Sequence, residues 1–105
     1  MNTIADARVF LGQKKFKIED QKKFVTLSGD KNPIHFDYNY SRRTPIGQPI
    51  VHGINSVLWA LDLLFCKFPE HELAGADVKF SNPIFLYETV GFWYYPTQSR
   101  IKILR

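Results

Sequence analysis

Residues 52–68, His-Gly-Ile-Asn-Ser-Val-Leu-Trp-Ala-Leu-Asp-Leu-Leu-Phe-Cys-Lys-Phe, constrain this chain more than any other stretch. Ile54, Val57, Leu58, Leu61, Leu64, Phe65 and Phe68 recur at helical spacing, and Trp59, Ala60 and Leu63 carry apolar surface almost the whole way round. A helix that is apolar on nearly every side belongs in a core, so the rest of the chain must wrap it. Pro69 ends it, having no N–H to continue the ladder. Cys66, near that end, reads as a small core residue.

The segments around this helix predict what wraps it. Residues 1–12 read as an extended lead-in ending at Gly12, and Gln13–Ile18 alternates as a short half-buried strand. Glu19–Leu27 opens on acidic residues and carries Phe24 and Leu27 three apart, which suits a short helix. Ser28-Gly29-Asp30-Lys31-Asn32-Pro33 is turn chemistry throughout. Residues 36–51 show no period, yet their aromatic content favours an ordered, functional overhang. After the helix, Leu73–Phe80, Thr89–Tyr95 and Arg100–Arg105 read as strands separated by turns at Asn82-Pro83 and Pro96–Ser99. Strands joined by short turns pair antiparallel. The expected architecture is therefore α+β, one antiparallel sheet curled over one long helix.

With 105 residues, 45% of them hydrophobic, the chain reads as a single domain over residues 1–105. No window matches a membrane span. The lone cysteine, with no basic-then-apolar leader, points to a reducing, cytoplasmic setting. The net charge of +4 is scattered over Lys14, Lys15, Lys22, Lys23, Arg42, Arg43, Arg100, Lys102 and Arg105. No block of like charge marks a nucleic-acid surface. Solvated surface, or attraction for an anionic small molecule or acidic carrier protein, accounts for it. An RNA-binding module would instead need Phe92, Trp93, Tyr94 and Tyr95 as exposed platforms, and on a curled sheet half of them face the core.

Asp30 and His35 are the chemistry-bearing pair. On a strand their odd spacing would place them on opposite faces, but a turn through Pro33 can bring them together. A carboxylate and an imidazole in one pocket suit acid–base work near neutral pH; equally, such a pair can simply stabilise a loop. Gly53 opens the long helix, where free N–H groups receive negative charge, so its amide could meet a developing enolate oxygen, or the glycine could serve close packing. His52 reads as a positioning residue. Ser56, on the first helical turn, could line a pocket or merely pack. No metal-ligand spacing, nucleophile elbow or phosphate loop is present.

The stretch Phe24–His35, with its Ser-Gly-Asp30-Lys-Asn32-Pro33-Ile-His35, together with Ser41, resembles the signature of the MaoC-like dehydratases, the (R)-specific enoyl-CoA hydratases of the hot-dog fold. Thr44, Gly47, Pro49-Ile-Val-His-Gly53 and Val78–Phe85 continue the likeness, which extends over nearly the whole chain. The resemblance implies that Asp30 and His35 form a dyad activating water. The reaction would be syn hydration of a trans-2-enoyl thioester, or dehydration of a (3R)-hydroxyacyl thioester. It further implies that the Gly53 amide polarises the thioester carbonyl and that Asn32 orients the dyad. No cofactor is expected beyond the CoA or phosphopantetheine of the substrate, whose phosphates Arg42 or Arg43 could meet. A homodimer or higher homo-oligomer is expected, without nucleic acid or membrane.

Three departures qualify this. Tyr87-Glu88 stands where the family often has Gly-Asp, which should alter a turn. Val57-Leu58-Trp59 occupies helix positions where many members carry a serine, which should narrow the acyl pocket. The family fold also runs through one further strand, so the domain is expected to be short at its C-terminus. The alternative reading is a non-catalytic hot-dog protein that binds acyl thioesters, or a truncated, inactive domain.

Overall fold

The computed structural model describes residues 7–105; the part of the expected lead-in before Ala7 lies outside the described residues. Strand β1 spans Val9–Lys15, earlier than the Gln13–Ile18 strand expected from alternation. The reason is pairing. All of β1 lies antiparallel to β2 (Thr89–Tyr95), from Val9 opposite Tyr94 to Lys15 opposite Thr89. A bulge between Phe10 and Gly12 interrupts the register. Gly12 takes φ +151, and a Cβ there would touch Leu63 at 3.3 Å. A glycine at that point thus permits both the bulge and the close approach of the helix.

Strand β3 (Arg100–Leu104) pairs antiparallel with β2, so the sheet order is β1-β2-β3. Alternation along β2 divides its side chains. Val90 and Phe92 are buried, while Trp93 lies on the outer face against Phe10, ring centroids 4.8 Å apart. Arg8 covers the Trp93 ring at 3.9 Å. Of residues 92–95 Phe92 alone reaches the core, fewer than the half expected; Tyr94, half-buried, packs instead against Phe68 and His71.

Helix α1 (Ile18–Ser28) matches expectation to within a residue. Asp20 accepts the Lys17 N–H at 2.8 Å at its start, and Gly29 closes it with φ 76. One short helix, α2 (Tyr38–Ser41), capped by Asp37, sits within the expected overhang. Helix α3 (Gly53–Lys67) is the long apolar helix. Its Ala60 joins Phe16, Val51, Leu86, Val90 and Phe92 in the core, with Trp59 and Leu63 packed against them.

Three expectations change. α3 is not enclosed: Ile54 and Leu58 are about half exposed, at 53% and 48%, because three strands cover only one of its sides. Cys66 is exposed rather than core. Residues 73–80 form no strand; they run unpaired and exposed, since no strand of the sheet lies beside them to take their N–H and C=O groups. Tyr87-Glu88 does form a turn, with Tyr87 at φ 63, a conformation that suits glycine. Among the described residues no helix is long and apolar enough to cross a membrane.

Candidate active site

The turn after α1 is built by side chains that accept backbone N–H groups two residues on. Ser28 Oγ accepts from Asp30 at 3.1 Å, Asp30 Oδ1 from Asn32 at 3.2 Å, and Asn32 Oδ1 from Ile34 at 3.1 Å. This relay is the local work of the Ser-Gly-Asp-Lys-Asn segment. Pro33 then starts a single 3-10 turn, Pro33–His35. The chain reverses, and Asp30 and His35 come to one side.

His35 Nε2 faces Asp30 Oδ2 across 3.7 Å. That is beyond hydrogen-bond distance and leaves the two groups free to share a third atom. His35 Nδ1 lies 2.9 Å from the Ile50 carbonyl oxygen. A carbonyl only accepts, so Nδ1 carries the hydrogen and the neutral ring presents a bare Nε2 towards Asp30. The side chain of His35 is 12% exposed and that of Asp30 50%, so the pair opens to solvent on the carboxylate side.

His52, the residue before α3, lies flat on His35 with ring centroids 3.8 Å apart and planes 24° apart. Phe24 packs on it from α1 at 4.8 Å. Burial, and secondarily the neighbouring His35, hold the His52 pKa below its ordinary value; the Asp30 carbonyl and carboxylate oppose this only in part. His52 is thus kept neutral behind the His35 ring. Asp30, His35 and His52 put potential ligand atoms within 4.8 Å of one another. With the two rings stacked face to face 3.8 Å apart, one ion held by both would lie out of at least one ring plane, which suits metal ligation poorly.

The other expected site residues are placed as follows. Gly53 begins α3, and the Phe80 ring lies against it: a Cβ there would sit 2.6 Å from Phe80 Cε1. Ser56 is buried and donates its hydroxyl hydrogen to the Gly53 carbonyl at 2.6 Å, which leaves the oxygen as an acceptor. Asn32 is part of the turn relay. Arg42 and Arg43 are exposed at the end of α2. A shallow groove of about 310 Å³ runs along α3, lined by Asn55, Leu58, Trp59 and Asp62. A second of about 260 Å³ adjoins it through Asn55 and Trp59 and reaches Phe24, the neighbour of His52.

Sequence reasoning missed one residue. Gln21 on α1 is completely buried and donates to two carbonyl oxygens, His35 at 2.6 Å and Ile50 at 2.8 Å. The available signal was an amide three residues before Phe24, on the same inward face of a short helix.

An antiparallel sheet laid against one long helix, with a turn-borne Asp-His pair at that helix's start, is the arrangement of a hot-dog domain. The fold matches an (R)-hydratase of A. caviae involved in PHA biosynthesis, with a TM-score of 0.73 and 22% identity over 93% of this chain and 87% of that one. An R-hydratase of Pseudomonas aeruginosa matches with a TM-score of 0.72, also at 22% identity, over 83% of this chain and 57% of that one. The chain belongs to the MaoC-like domain family, whose model matches residues 2–99. Among curated relatives, the peroxisomal multifunctional enzyme type 2 of Drosophila melanogaster is 31% identical over 89 residues, 80% of this chain. A 3-hydroxybutyryl-CoA dehydratase of Methylorubrum extorquens is 38% identical over 42 residues, 40% of this chain. The chain spans only 15% and 27% of the lengths of these two proteins.

Proposed function

We propose that this chain catalyses (R)-specific hydration of trans-2-enoyl thioesters and the reverse dehydration of (3R)-hydroxyacyl thioesters. The observation that carries the reading is the bare His35 Nε2 facing Asp30 Oδ2 across 3.7 Å, with Nδ1 committed to Ile50. A water bridging the two groups from beside that gap gives one hydrogen bond to the carboxylate and its other proton to Nε2 as its oxygen bonds to C3. The electron pair of the double bond moves towards the thioester carbonyl. Nε2–H then returns the proton to C2 from the same side, so addition is syn and the dyad is regenerated. Positioning and acid–base assistance of this kind need no redox partner or cofactor.

The 3-hydroxybutyryl-CoA dehydratase among the relatives supports a CoA thioester as substrate, and a carrier-protein thioester offers the same reacting group. The acyl group lies along the α3 groove, where Leu58 and Trp59 limit its width. Arg42 and Arg43, exposed and cationic, suit the phosphates of the carrier arm. The working form is a homo-oligomer, which would cover the open flank of α3 and the unpaired segment 73–80.

One observation favours a second reading, thioester binding without turnover. The Phe80 ring rests on Gly53, where the resemblance puts the thioester carbonyl. Hydration of crotonyl-CoA by the purified protein, with Asp30→Asn as the blank, decides between them. Turnover that vanishes in the variant supports the hydratase; a folded protein that binds crotonyl-CoA without converting it supports the second reading.

A further inference from the structure

We infer that Gln21 is a positioning residue of this site: its buried side-chain amide fixes the orientation and the tautomer of His35. The inference rests on the hydratase reading for its consequence in turnover, though not for its consequence in the ring itself.

Gln21 Nε2 has two hydrogens and spends both within the site, on the His35 carbonyl at 2.6 Å and the Ile50 carbonyl at 2.8 Å. Two converging carbonyl oxygens can only be met by the nitrogen end of an amide, which settles which way the group points. Ile50 O is the same atom that His35 Nδ1 approaches at 2.9 Å. Its two lone pairs are thus filled by Gln21 and by the working ring. One side chain therefore holds His35 at two places: at its own backbone, and at the acceptor that decides which ring nitrogen carries the hydrogen. The backbone N–H of His35 is tied separately, to Asn32 O at 3.2 Å.

Packing alone does not call for this residue. Gln21 is completely buried, and its Oε1 has no hydrogen-bond partner among the described residues. Leaving a buried carbonyl unpaired is unfavourable. A methionine of similar length would fill the same space and avoid that penalty, but would leave the His35 and Ile50 carbonyl oxygens without this donor. What the amide adds is direction: it keeps the Ile50 carbonyl aimed at Nδ1, so that Nε2 stays bare and faces Asp30. Without it, the Ile50 carbonyl is free to tilt, and the neutral ring can carry its hydrogen on Nε2, the wrong nitrogen for a base. Besides Asp30, the titratable group facing His35 is His52, stacked on its other side.

The test uses the full chain, labelled with nitrogen-15, as wild type, Gln21→Met and Gln21→Leu. Long-range proton–nitrogen correlation at pH 8 reads the His35 tautomer, and steady-state hydration of crotonyl-CoA reads kcat and KM. Wild type is expected to show the Nδ1–H form. Gln21→Met should populate the Nε2–H form and lower kcat about tenfold, with KM little changed, as expected for slight misplacement of a catalytic group. Its melting temperature should fall, because the His35 carbonyl loses its side-chain donor and the Ile50 carbonyl loses one of its two. Should Gln21→Met fail to fold, Gln21→Leu, shorter and likewise without a donor, carries the same expectation. A folded variant with wild-type ring shifts and wild-type kcat overturns the inference and makes Gln21 a packing residue. If the wild type itself turns nothing over, the hydratase reading fails, and the ring shifts alone decide this one.

Discussion

His52 lies face to face with His35, with only 3.8 Å between ring centroids, and is itself 2% exposed. Two protonated imidazoles cannot share that stack, and burial penalises charge on His52 first of all. In the unfolded chain His52 takes up a proton near its ordinary value of 6.5; in the folded chain it resists until lower pH. The unfolded state therefore binds more protons as pH falls through that window. Stability is expected to be full above pH 7, to fall as pH drops through 6.5, and to level off once folded His52 is itself protonated. Thermal melts of wild type and His52→Gln between pH 8 and 5 check this. The variant should be less stable at pH 8, having lost the stack, but its melting temperature should depend less on pH. An equally steep decline in the variant would assign the slope to other groups.

Asp30→Asn should remove activity and leave the fold alone. Its Oδ1 accepts the Asn32 N–H, and an asparagine oxygen can do the same, so the turn relay survives. The negative charge that orients the water and steadies the proton on His35 does not survive, and loss of half of an acid–base pair typically costs a factor of about 100 to 10,000 in rate. Crotonyl-CoA hydration and a thermal melt on the same preparation separate the two effects. His35→Ala should lose a similar factor in rate but also melt lower, because its ring is part of the stack with His52.

The two sides of the sheet should respond differently to truncation. Phe92 is fully buried in the core and Trp93, its neighbour in β2, faces outward under Arg8. Phe92→Ala is expected to cost about 3–5 kcal/mol, enough to unfold much of a marginal domain. Trp93→Ala should cost less, because it loses the contact with Phe10 and the cation above it without opening an internal cavity. Urea titrations of both variants measure the difference. Equal costs would mean the outer face is as closely packed as the core.

How much of this was legible in the sequence depends on where each residue finds its partners. α1 and α3 carry their signals locally, in the acidic start and the closing Gly29 of one and in the apolar period and Pro69 of the other, and both fell where expected. The turn from Ser28 to His35 was legible for the same reason, since each of its bonds spans two or three residues. Residues 73–80 have the composition of a strand, but a strand also needs another strand beside it, and that is not written in the segment itself. The exposure of Ile54 and Leu58 follows from the same lack of cover. Gln21 was not legible because its partners, His35 and Ile50, are 14 and 29 residues away.

Gly53 and Phe80 provide the sharpest test of what the start of α3 does. A Cβ at residue 53 would come within 2.6 Å of Phe80 Cε1, too close without movement. Phe80 is 62% exposed and has room to swing away, so Gly53→Ala should fold. Its effect on rate has two possible sources. If the glycine serves only to seat the Phe80 ring, removing that ring relieves the clash, and Gly53→Ala should be silent in a Phe80→Ala background. If the amide of residue 53 receives the developing charge on a thioester oxygen, the added methyl obstructs that oxygen whether or not Phe80 is there. The oxyanion role then predicts that Gly53→Ala lowers kcat by about 100-fold in both backgrounds. Phe80→Ala alone should lower KM, because it uncovers the helix start. The four proteins form a double-mutant cycle in kcat/KM, and a coupling equal to the whole effect of Gly53→Ala would leave the glycine a packing role only.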